Sequence, residues 1–161
     1  MAKTIIGVMG PGNEPEEKDL QIAYELGKLI GQRSWVLLTG GRNVGVMDAA
    51  SLGASEKDGL VVGVLPDKDR SRMSLHVDIP IVTGMGSARN NINVLSSDVI
   101  IACGTGAGTL SEIMLALKAG KDVILLNQSK NALDFLQSLE SDLVHEASSA
   151  YEAITMAERL L

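Results

Sequence analysis

The residues able to do chemistry in this sequence gather at four glycine clusters: Gly10-Pro11-Gly12, Gly40-Gly41-Arg42, Gly84-Met85-Gly86 and Gly104-Thr105-Gly106-Ala107-Gly108-Thr109. Each follows a short apolar run and precedes a stretch with helical spacing. A glycine turn at such a junction lets backbone N–H groups close on an anion, and the helix dipole adds favourable charge at the same point. The chemistry indicated is recognition of a phosphate or carboxylate. Beside the clusters stand Arg42, Arg89 with its neighbour Asn90, and Glu112 one turn behind Thr109. A cation in the first turn of a helix opposes the dipole, so Arg89 is either rewarded by a bound anion or solvated on the surface. Glu112 is electrostatically comfortable with or without a function. Arg42 reads equally as an anion clamp or as an exposed turn residue.

Other chemistries find no support. His76 and His145 are isolated, and no set of Cys, His, Asp and Glu has metal-ligand spacing, so no protein-ligated metal is expected. There is no GxxxxGK[ST] loop, no GxSxG elbow and no Cys-His constellation, which argues against P-loop ATP hydrolysis and triad chemistry. Gly104-Thr105-Gly106 begins a dinucleotide fingerprint, but the third glycine is misplaced and the cluster follows the fifth strand, so a classical NAD site is not expected. Cys103 ends an apolar strand and reads as a small buried residue.

The clusters need a frame that brings them together. Lys3 to Met9, Trp35 to Thr39, Leu60 to Leu65, Ile79 to Thr83, Asp98 to Ala102 and Asp122 to Leu126 read as strands, with Asp142 to His145 as a short edge strand. Helical spacing starts at Pro15, Val44, Ala88, the Gly104 cluster, Ala132 and Ser148, while Pro66 to Val77 is polar and irregular. Strict alternation of this kind predicts a single α/β domain over 1–161. Its expected form is a Rossmann-like, doubly wound, mainly parallel sheet of six or seven strands between helices, in three layers. Ligands of such sheets bind beyond the carboxyl ends of the strands, where strand order reverses. With an order beginning 3-2-1-4-5, the reversal falls between strands 1 and 4, and the loops after strands 1, 2, 4 and 5 share a crevice.

Composition agrees. Of 161 residues, 45% are hydrophobic and only 2% aromatic, so the core is aliphatic, as a buried parallel sheet requires. A net charge of −6 offers no attraction to nucleic acid or an anionic membrane surface. No apolar run is long enough to span a bilayer. One cysteine excludes an internal disulfide, and MAKTIIGVMG enters a strand pattern with no signal-peptide cleavage region, so the expected compartment is the cytoplasm. Leu, Met and Ala on the helix after strand 4 or strand 5 offer a two-fold interface.

Gly40-Gly41, Gly45-Val46-Met47, Ala49-Ala50, Arg89 and Gly108-Thr109-Leu110-Ser111-Glu112 together resemble the LOG-like (SLOG) superfamily, from strand 1 to strand 6. That resemblance implies a phosphoribohydrolase that cleaves the N-glycosidic bond of nucleoside 5'-monophosphates, with a PGGxGTxxE motif and an arginine-lysine pair. Here Gly104-Thr105-Gly106 stands in place of Pro-Gly-Gly, Asn90 in place of the lysine, and Gly86 in place of a methionine. These departures resemble the branch that includes the molybdenum cofactor carrier proteins. The branch implies a homodimer or homotetramer that binds the molybdenum cofactor, a pterin with a terminal phosphate, and shields it before delivery to a molybdenum enzyme. On this resemblance the ligand site comprises Gly10, Gly12, Gly40, Gly41, Arg42, Gly84, Arg89, Asn90, Gly104, Thr105, Gly106, Ala107, Gly108, Thr109 and Glu112. The loop Pro66 to Val77 would cover the pterin and dithiolene end. Two alternatives stand beside it. One is a hydrolase in which Arg89 assists the leaving base and Glu112 stabilises the ribose cation; the other is a nucleotide sensor without catalysis.

Overall fold

A computed structural model describes residues 2–161. Five strands, β1 (Ile5–Met9), β2 (Val36–Thr39), β3 (Leu60–Leu65), β5 (Val99–Cys103) and β6 (Val123–Leu126), are aliphatic and largely buried. They show no polar alternation because helices cover both faces of the sheet. The edges are β4 (Ile79–Val82) and β7 (Val144–Glu146). All pairings are parallel, in the order β4-β3-β2-β1-β5-β6-β7.

The helices divide into two layers. On one face α1 (Glu17–Gln32), α2 (Gly45–Ser55) and α6 (Ala150–Leu160) bury Leu26, Ile30, Val46, Ala54 and Ile154 against Ile6, Val8, Leu37 and Ile101. On the other face α3 (Asn90–Ser96), α4 (Ala107–Lys118) and α5 (Lys130–Leu139) bury Val94, Ile113, Leu117 and Leu136 against Met9, Leu38, Ile100 and Leu125. The expected three-layer, parallel α/β architecture is present, now with seven strands.

The expected strand order is not. The fourth strand pairs with β3 at the sheet edge, with Gly63 opposite Pro80, and the reversal falls between β1 and β5. Pro80 gives the physical reason: a residue without an N–H cannot complete a ladder on both sides, which confines its strand to an edge. The helix expected near Ala88 begins as a 3-10 turn, Gly86–Arg89, that runs directly into α3. The 66–77 loop lacks regular structure but is pinned. Met73 bridges Arg42, the Asn43 N–H donates to the Arg72 carbonyl at 2.9 Å, and the Ser74 N–H donates to the Gly41 carbonyl at 2.9 Å. Among the described residues no helix is long and apolar enough to cross a membrane.

Candidate functional site

A cleft of about 550 Å³ opens beyond the carboxyl ends of β3, β2, β1 and β5. Its floor is the β1–α1 loop, Gly10 to Asn13; Gly40 and Arg42 follow β2, and Pro66, Asp67 and Arg72 follow β3. Across from them stand Gly86, Ser87, Arg89 and Asn90, and the start of α4 with Gly106, Ala107, Gly108, Thr109 and Glu112.

The start of α4 has the geometry of an anion site. α5 and α6 satisfy their first-turn N–H groups with the hydroxyls of Ser129 and Ser149. At α1 the Asp19 carboxylate accepts from the Glu16 N–H, and at α2 the Val46 N–H is taken by the Pro11 carbonyl at 3.1 Å. α4 has Gly106 as its cap, with no side chain to offer, so the N–H groups of Ala107, Gly108 and Thr109 lack the partner a capping side chain would supply. They carry the positive end of the helix dipole into the cleft.

Arg89 lies at the junction of the 3-10 turn and α3 and is only 8% exposed. Its guanidinium crosses Gly40 so closely that a Cβ there would meet Nη2 at 2.7 Å and Met47 Sδ at 2.6 Å, so any larger residue would displace the arginine or the methionine. Nη1 donates to Asn90 Oδ1 at 2.9 Å, Asn90 Nδ2 donates to Ser111 Oγ at 2.8 Å, and Ser111 Oγ donates to the Gly108 carbonyl at 2.6 Å. This chain ties the arginine to the first turn of α4. Glu112 Oε1 is 3.8 Å from Nη1 and accepts from Asn93 Nδ2 at 2.8 Å. Burial pushes the Glu112 carboxyl up to about 7, against the opposing effects of Asn93 and Arg89. Burial also lowers the Arg89 guanidinium from its usual range. Desolvation thus outweighs mutual attraction for both partners, as happens when a buried ion pair is not in direct hydrogen-bonded contact.

The cleft holds polar atoms that the protein leaves unpaired. Among the described residues five buried side-chain atoms have no partner, and four of them belong to cleft residues: Arg42 Nε, Asp67 Oδ2, Arg89 Nε and Thr109 Oγ1. Such atoms are costly inside a fold and cluster where a polar ligand binds. Three arginines face two carboxylates here, one of which titrates near neutrality, so the cleft is cationic within a chain of net charge −6.

Most expected site residues line the cleft: Gly10, Gly12, Gly40, Arg42, Arg89, Asn90, Gly106, Ala107, Gly108, Thr109 and Glu112. Gly41, Gly84, Gly104 and Thr105 do not. Gly41 packs on the Gly63 backbone at the base of its turn, and Gly84 is exposed beside Lys68. Gly104, with φ +75°, is buried against the Asp19 carboxylate, where any Cβ would clash at 2.4 Å. Thr105 turns away to donate to Gln128 Oε1 at 3.0 Å. Asp67 and Arg72, an ion pair on the cleft wall, lie in the 66–77 loop expected to cover the ligand but are not among the expected site residues, although the charge of Asp67 just past the end of β3 carried a signal. Cys103 is buried, donates to the Asp19 carbonyl at 3.3 Å, and has its thiol pushed up to about 12 by burial, so it is not a nucleophile.

A model of the SLOG cluster4 family matches residues 3–154. The chain belongs to the SLOG cluster4 family. This SLOG cluster4 chain is similar over nearly its whole length to the molybdenum cofactor binding protein of the phototrophic bacterium Rippkaea orientalis. The TM-score is 0.98 and the identity 55%, covering 99% of this chain and 98% of the other. It is also similar to the molybdenum cofactor carrier protein of Chlamydomonas reinhardtii, with a TM-score of 0.94 and 51% identity over 99% and 98% of the two chains. A cytokinin riboside 5'-monophosphate phosphoribohydrolase of Mycobacterium tuberculosis is 35% identical over 103 residues, 63% of this chain and 55% of that protein. The resemblance drawn from the motifs is thereby borne out, for the superfamily and for the carrier branch within it.

Proposed function

We propose that this SLOG cluster4 protein binds the molybdenum cofactor and shields it until delivery. The observation that carries the reading is the near-complete superposition on two proteins described as binding or carrying that cofactor, at 55% and 51% identity. The cleft fits such a ligand on its own terms. The N–H groups of Ala107, Gly108 and Thr109 would hold the terminal phosphate, with Arg89 beside them supplying charge-assisted bonds from its unpartnered Nε. Gly108 fits this role because a Cβ there would meet nothing within 4 Å, so the backbone faces open space. The pterin would lie over Gly10 to Asn13 and Gly40, toward Arg42, Asp67 and Arg72. The bound group brings its own redox-active metal, and the chain's part is to hold it and exclude water and oxygen.

The test is anaerobic purification from cells that make the cofactor. Stoichiometric pterin and molybdenum on the protein are expected; their absence, with a cofactor-loaded relative as positive control, rejects the reading. The working state is a cytoplasmic homodimer or homotetramer that hands its ligand to a molybdenum enzyme. Sedimentation measures the first of these, and cofactor transfer to an apo-enzyme the second. Exposed Leu110 and Met114 on α4 and Leu95 on α3 supply an apolar patch for self-association.

A second reading draws on the buried Arg89–Glu112 pair in the cleft wall and the phosphoribohydrolase relative. In it the protein hydrolyses a nucleoside 5'-monophosphate, Arg89 assisting the departing base and Glu112 stabilising the ribose cation. Free base released from a nucleotide panel, and lost in Glu112→Ala, would favour it. Binding of nucleotides without base release or pterin would instead mark a sensor.

A further inference from the structure

From the wall opposite α4, and resting on the reading of the cleft as a phosphate-bearing ligand's site, we infer that Asp67 selects ligands with a 2-amino-4-oxopyrimidine edge. Pterins and guanine share that edge. Asp67 follows β3 and the anion-binding turn of α4 follows β5. The two ends are three strand spacings apart in the sheet order, roughly 14 Å. A fused bicyclic ring carrying a phosphate on a short arm spans that distance, with its phosphate at α4 and its far edge at Asp67.

The polar groups at the far end fit one kind of edge. A 2-amino-4-oxopyrimidine presents, side by side, an oxo acceptor, a ring N–H donor and an amino donor. Asp67 supplies a carboxylate with one oxygen, Oδ2, buried and unpartnered, and Arg42 on the same wall supplies a buried N–H donor, Nε, also unpartnered. Carboxylate for the two donors and arginine for the oxo group make a complete set. The present partner of Asp67 Oδ1 is the guanidinium of Arg72, which is itself a planar array of adjacent N–H donors and imitates the ligand edge. Arg72 is 55% exposed at its side chain, whereas Asp67 is mostly buried, so the arginine is the member free to leave when the ring arrives. Adenine offers an amino donor next to an unprotonated ring nitrogen, and a carboxylate facing that nitrogen repels it. The site therefore discriminates by leaving a buried acceptor unpaired with the wrong ligand.

The experiment is calorimetric titration of the full chain with a pterin monophosphate, GMP, XMP, AMP and inorganic phosphate, repeated on Asp67→Asn. The unmodified protein is expected to bind the pterin monophosphate and GMP at least roughly tenfold more tightly than AMP or XMP. Whichever of the two binds more tightly names the source of the edge. In Asp67→Asn the carboxamide N–H faces the 2-oxo group of xanthine, so GMP weakens by roughly tenfold while XMP gains, and inorganic phosphate is unchanged. A gain cannot come from a misfolded variant. Equal binding of GMP and AMP by the unmodified protein, or uniform changes in the variant, with phosphate still bound, overturns the role of Asp67 and leaves the cofactor reading standing. If neither phosphate nor any phosphomonoester binds, both fall together.

Discussion

The two helical layers of this protein solve different problems with the same aliphatic vocabulary. The layer of α1, α2 and α6 is sealed: Tyr151 is its one exposed large hydrophobic residue among those described, and α1 and α2 approach until their backbones touch. A Cβ on Gly27 would lie 2.0 Å from the Ala50 carbonyl, and one on Gly53 would lie 2.0 Å from the Tyr24 carbonyl. The layer of α3, α4 and α5 is open. It exposes Leu95, Leu110, Met114, Phe135 and Leu139, and it buries the polar set Arg89, Asn90, Asn93, Thr109 and Glu112. One face of the sheet is committed to stability, and the other gives up some of it to hold buried charge, as sites held in strained or unpaired states generally do.

Gly27→Ala tests the sealed layer and carries the largest expected effect. Helix separation must grow, at a cost of about 3 kcal/mol and a fall in Tm of roughly 10 °C in a thermal scan. On the open layer, Arg89→Met should shift the loss from stability to binding, weakening phosphate-ligand binding about a hundredfold by titration with a smaller loss of stability than Gly27→Ala, about 1 kcal/mol for the Asn90 oxygen left unpaired. Equal losses of stability in both variants would erase the contrast between the layers.

Acidity provides a finer probe. The Glu112 carboxyl is raised from 4.5 to about 7, so its contribution to stability is fully present below pH 4.5 and is lost as pH rises through 7. Between pH 5 and pH 8 this group alone costs the native chain roughly 2 to 3 kcal/mol, and Glu112→Gln should abolish that slope in denaturant titrations. Protonation of Glu112 should tighten anion binding toward pH 6 in the native protein, with uptake of at most one proton by the chain, and that part of the pH dependence should be absent in the variant. The smallest effect belongs to Thr105→Ala. Its side chain faces Gln128 outside the cleft, so ligand affinity should change by less than about twofold.

Much of this was legible before any coordinates. Leu60 to Leu65 matches β3 residue for residue, and the other strands differ by a residue or two at their ends, because continuous aliphatic runs bounded by glycine leave few alternatives. The placement of β4 was missed although Pro80 marked it as an edge. Of the glycines, those that border the cleft and those that only turn the chain look alike in one dimension. Gly104 and Gly106 differ by two positions, yet one packs on Asp19 and the other caps α4.

Local pattern was enough to fix the alternation of strands and helices, the parallel three-layer fold and the edge of the sheet where the cleft opens. These rest on local spacing and chain chirality, which act over a few residues. The strand order, the placement of the Asp67–Arg72 pair on the cleft wall, the departure of Thr105 from it and the neutral titration of Glu112 emerge only from packing. Those depend on which distant segments exclude water from a side chain, and burial is a property of the packed whole.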